Sequence, residues 1–73
     1  MTERARYLFS VKEFPDGQPW IYMEPFEGGL SPLEHGFIGF DLAAGTTLKQ
    51  AEEIASILNS KLLRVSYTDL TKA

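Results

Sequence analysis

The stretch Gly45–Tyr67, GTTLKQAEEIASILNSKLLRVSY, decides the fold. Thr47 followed three residues later by Gln50 is a capping box: each side chain satisfies an amide that the helix start leaves free. At about 100° per residue, Leu48, Ala51, Ile54, Ala55, Leu58 and Leu62 fall within one arc, with Lys49, Glu53, Ser56 and Ser60 opposite. Ile57 lies outside that arc, as a flank residue or a contact for something else. Asn59, tolerant of positive φ, is placed at the left-handed C-terminal position. Leu63, Val65 and Tyr67 then alternate with Arg64 and Ser66, the pattern of a half-buried strand. The stretch predicts helix, then strand.

Upstream, Tyr7 to Phe14 reads as a strand with Phe9 and Val11 on one face. Pro15-Asp16-Gly17-Gln18 is turn chemistry, because proline presets φ and glycine accepts positive φ. Trp20 to Glu24 is a second strand, with Ile21 and Met23 on one side and Trp20 and Tyr22 on the other. The two runs around the turn predict an antiparallel hairpin, which Pro25 ends. Residues 25–36, PFEGGLSPLEHG, form a long Gly- and Pro-rich loop, a length uncommon in so small a domain unless it has a function. Ser31-Pro32-Leu33-Glu34 within it reads as a single helical turn at most. Phe37 to Leu42 is a third strand.

The expectation is therefore one α+β domain over residues 1–73, in β-β-β-α-β order. It has a mixed four-stranded sheet packed on one amphipathic helix, and residues 1–6 and 71–73 are frayed. The strands that the helix joins would run parallel through a right-handed crossover. Phe9, Val11, Ile21, Met23, Ile38, Phe40, Leu63 and Val65 would form the covered face.

A chain of 73 residues buries only about 60% of the surface its unfolded form exposes. With no cysteine it lacks disulfides, thiolate zinc sites and a cysteine nucleophile, which is consistent with a reducing cytoplasm. No apolar run is long enough for a signal sequence or a membrane span. The net charge of −3 argues against general phosphate-backbone binding, and 44% hydrophobic content argues against disorder.

One helix covers one face of a sheet. The other face would carry Leu8, Trp20, Tyr22, Phe37 and Leu62 among polar residues, unless Phe26, Leu30 and Leu33 fold back over them. A contiguous apolar patch of this kind marks an association site. The expected function is that of a small non-enzymatic interaction or accessory domain, binding a protein partner or itself. Its expected contacts are Trp20, Tyr22 and Phe37, with Phe26 and Leu30 from the loop. Trp20, Tyr22 and Phe37 could also stack single-stranded nucleic acid, a reading that the acidic balance disfavours.

The alternative is a ligand-binding or enzymatic role centred on the 25–36 loop. His35, the one histidine, stands beside Glu34 there, and a carboxylate can orient a ring for base catalysis or metal binding. A solvated loop histidine is the simpler reading. No metal-ligand spacing, phosphate-binding glycine fingerprint or serine elbow occurs, so no catalytic residue, cofactor or metal is assigned.

Overall fold

The computed structural model describes residues 1–72. Its elements are β1 (Thr2–Ala5), β2 (Tyr7–Glu13), β3 (Pro19–Pro25), β4 (Ile38–Asp41), α1 (Leu48–Lys61) and β5 (Val65–Thr68), with 3-10 turns at Ser31–Leu33 and Leu70–Lys72. The α+β class and the single helix are as expected. The single mixed sheet is not: β2-β3-β4 form one three-stranded sheet and β1-β5 a separate two-stranded one, every pairing antiparallel. Among the described residues no parallel crossover is present, because β5 pairs antiparallel with β1.

Residues 2–5, expected to fray, are held as a strand against β5, with Thr2 opposite Thr68 and Ala5 opposite Val65. The backbone bonds alternate in direction along residues 1–14. Arg6 and Phe14 bond the β3 hairpin, through Phe26 N–H and Gln18 C=O, whereas the Met1 carbonyl accepts from Asp69 on the other partner. Odd-numbered residues thus turn away from β3, and the last strand docks there.

The hairpin turn forms as its residues dictate. Gly17 takes φ +90°, and Gln18 N–H donates to Asp16 Oδ1 at 2.9 Å. The capping box is also formed: Gln50 N–H donates to Thr47 Oγ1 at 3.1 Å and Thr47 N–H to Gln50 Oε1 at 3.0 Å. Asn59, however, is helical, and among the described residues no non-glycine residue has positive φ. The helix ends at Leu62 in extended backbone, its N–H still reaching Leu58 C=O.

Ala51 and Ala55 are the buried helix residues, and their small side chains let α1 sit close on β2 and β3. The core is compact: Tyr7, Phe9, Ile21, Met23, Leu30 and Ala55 pack together, with Val11, Leu33, Leu42, Leu58 and Val65 half-buried around them. Ile38 and Phe40, expected in the covered face, are exposed because α1 does not reach across to β4. Leu63 precedes β5 and is 69% exposed, also outside the core. The loop, in turn, feeds the core from the helix side, so it does not fold over the aromatic side chains on the other face.

Candidate functional site

Strand alternation sends Trp20 and Tyr22 to the face of the three-stranded sheet opposite Ile21 and Met23. Phe37, at the entrance to β4, joins them. Its ring centroid lies 5.1 Å from that of Tyr22, edge to face, and 6.0 Å from that of Trp20. Phe14, beyond the end of β2, adds a fourth ring stacked 5.7 Å from Trp20. Lys12, paired across the hairpin with Trp20, places its ammonium 5.7 Å from the Tyr22 ring centroid, within cation–π reach.

Gly39 makes this arrangement possible. It pairs with Tyr22 on β3, and a Cβ at this position would lie 3.0 Å from two carbons of the Trp20 ring. The indole therefore lies against bare β4 backbone. Centroid spacings of this size are those of mutually attractive aromatic pairs. Trp20 and Tyr22 are half-buried by their neighbours, while Phe37 remains 60% exposed and Phe14 and Leu8 are exposed too. The face is both a small packed cluster and an apolar surface.

Of the five expected contact residues, the structure brings together Trp20, Tyr22 and Phe37. Phe26 is exposed but stands apart, its ring beneath the Arg6 guanidinium at 5.1 Å. Leu30 is 4% exposed and belongs to the core, where its N–H donates to Tyr7 Oη at 2.7 Å. Phe14 was the missed member. The expected strand runs as far as Phe14, and carrying the alternation of Ser10 and Lys12 one step further assigns it to the face of Trp20 and Tyr22.

His35 and Glu34 are both exposed in the turn after Leu33. Glu34, but not His35, lines a pocket of about 400 Å³ between the loop and the sheet, shared with Tyr7, Gly29, Ser31 and Phe37. The loop is tied to β1 by Glu3, whose carboxylate accepts from Ser31 N–H at 3.2 Å and from the Ser31 hydroxyl. Those two bonds hold the Glu3 pKa below the usual carboxylate value. The tie is therefore complete at neutral pH and is lost only as pH falls below the ordinary glutamate range. Among the described residues, no group of three or more acidic or histidine side chains is placed to hold a metal ion. Nor is any helix among them long and apolar enough to cross a membrane.

A second apolar surface lies on the helix side. Because α1 stops short of β4, a groove of about 560 Å³ opens between them, floored by Phe9, Ile21, Met23, Ile38 and Phe40. Ile54, Leu58 and Leu62 of the helix region form its other wall. The chain matches no protein-family model, no curated protein and no solved structure.

Proposed function

We propose that this chain is a non-enzymatic protein-interaction domain that associates through the aromatic face of its three-stranded sheet, with a second copy as the mating surface. The observation that carries this reading is the convergence of Phe14, Trp20, Tyr22 and Phe37 on the side away from the helix. Aromatic side chains are enriched at interface centres, where they remove much area from water for little lost side-chain freedom. Lys12, Glu24 and Asp41 surround the cluster with both signs of charge, as a polar rim does.

The test is solution mass by light scattering at several protein concentrations. A concentration-dependent dimer is expected, and Phe37→Asp should weaken it about tenfold or more while leaving the melting temperature nearly unchanged. Trp20 fluorescence should shift with dimerisation in the parent chain and stay fixed in the variant. A strict monomer at all concentrations would rule out self-pairing.

The pocket beneath the loop supports a second reading, ligand binding at Glu34 and the Tyr7 hydroxyl. Its volume falls within the usual range of small-molecule sites. His35 lies outside the lining of this pocket.

A further inference from the structure

The pocket between the loop and the sheet contains a buried hydroxyl with a proton to give. Tyr7 is 9% exposed, and its Oη accepts from Leu30 N–H at 2.7 Å. Among the described residues the phenolic O–H itself donates to nothing, which leaves a buried donor unmatched in the wall of the pocket. Gly29 keeps that hydroxyl clear. Its φ is not positive, so its backbone does not call for glycine. A Cβ there would instead stand 2.9 Å from Tyr7 Oη and 3.4 Å from Pro25 Cβ. Met23, Leu30, Leu33 and the exposed Phe37 ring make the rest of the lining largely apolar, and Glu34 is its charged residue. A second carboxylate, Glu3, is held against the lining by the N–H and hydroxyl of Ser31. Every lining residue but Tyr7 comes from residues 13–48, which contain neither lysine nor arginine. Arg6, beside Tyr7 in the chain, has its guanidinium over the Phe26 ring, and Phe26 is not part of the lining.

On the reading of this pocket as a ligand site, we propose that it takes a small organic ammonium ion whose apolar body also carries a hydrogen-bond acceptor. Each part of such a ligand answers one feature of the lining. The acceptor receives the Tyr7 O–H, and a site with an unmatched buried donor selects against a ligand that cannot accept from it. The apolar body lies against Leu30, Leu33 and the Phe37 ring, as the bodies of small ligands do in pockets of this size. The ammonium meets Glu34, with the Glu3 carboxylate behind Ser31 adding to the same field. An anionic ligand would enter against both carboxylates and find neither lysine nor arginine in the lining to receive it. The net charge of −3 acts in the same direction at longer range.

The probes are tyramine, tyrosol and phloretate, which share a phenol ring and a two-carbon arm ending in an ammonium, a hydroxyl and a carboxylate respectively. Each is titrated into the intact chain and followed by amide chemical shifts. Tyramine should shift the Gly29, Leu30, Glu34 and Gly36 amides and bind at least about fivefold tighter than phloretate, with tyrosol between them and salt narrowing the gap. Glu34→Gln should shrink the gap to about twofold or less. Glu53→Gln, which removes the same charge from the exposed face of α1, should leave it unchanged. Phenethylamine, which lacks the phenol oxygen, should bind the parent chain several-fold more weakly than tyramine, and the two should bind Tyr7→Phe alike. Melting curves show which variants keep the fold. If Tyr7→Phe does not, phenethylamine against tyramine in the parent chain still decides whether an acceptor is required. Equal affinity for the three probes, or tighter binding of phloretate, with shifts at the same four amides would overturn the ammonium class and leave the pocket a ligand site. Phenethylamine binding as tightly as tyramine would overturn the acceptor. No shift at those amides with any probe would overturn the pocket as a ligand site, and the ligand class with it.

Discussion

Ile21→Ala is expected to cost about 2–5 kcal/mol, the range for truncating a buried aliphatic side chain. Ile21 is 1% exposed, the most buried large side chain, and sits where β3 is flanked on both sides and α1 lies above. A chain of this length holds a total stability on the order of 4–11 kcal/mol, so the variant should sit near its unfolding threshold. Phe40→Ala makes the informative comparison. Phe40 pairs directly with Ile21 and packs 6.0 Å from Phe9, yet it is 41% exposed on the groove floor. Its loss should cost less than half as much as the loss of Ile21, although phenylalanine is the larger side chain. Urea unfolding of both variants gives the two values. Equal costs would mean that the inner face of β4 is closed in solution and that the open groove is not a property of the free chain.

The legible parts of this fold were those fixed by local chemistry. The capping box at Thr47 and Gln50, the hairpin turn at Asp16-Gly17 and the alternation in β2 and β3 each involve residues within a few positions of one another. The convergence of Trp20, Tyr22 and Phe37 was legible for the same reason, since period-two alternation assigns faces without knowledge of strand order. What failed was long-range. Thr2–Ala5, TERA, carries no apolar alternation, and becomes a strand because β5 needs a partner and the odd-numbered edge of the first strand is open. Nothing near residue 2 in the sequence announces residue 68. Leu30 was assigned to the surface because it lies among glycines and prolines. The Tyr7 hydroxyl, 23 positions away, draws its backbone inward. The groove was invisible because it depends on the lateral position of α1 over the sheet, which amphipathicity does not specify: the arc says which side of the helix is covered, not which strands cover it.

Asn59 sets that lateral position, and Asn59→Ala should show it. Its side-chain amide makes two bonds to one residue of β2. Phe9 N–H donates to Asn59 Oδ1 at 2.8 Å, and Asn59 Nδ2 donates to the Phe9 carbonyl at 2.8 Å. Phe9 is an odd-numbered residue whose backbone faces away from β3, so the amide occupies the place that a further strand would take. Removing it leaves a part-buried donor and acceptor without partners, at about 1–3 kcal/mol each when water cannot replace the bond. Water reaches this edge partly, so the expected loss is about 2–3 kcal/mol, a fall in melting temperature of about 8–24 °C for a chain of this size. Asn59→Asp discriminates between a packing role and a hydrogen-bonding one. An ionised carboxylate still accepts from Phe9 N–H but turns a lone pair toward the Phe9 carbonyl, so this nearly isosteric change should also destabilise. Amide exchange at Phe9 should accelerate in both variants ahead of the Ile21 amide, because the clamp opens before the sheet does. If Asn59→Ala melts within about 2 °C of the parent chain, α1 is positioned by Ala51 and Ala55 packing alone. The covering of β2 in preference to β4, and with it the groove, would then need another cause.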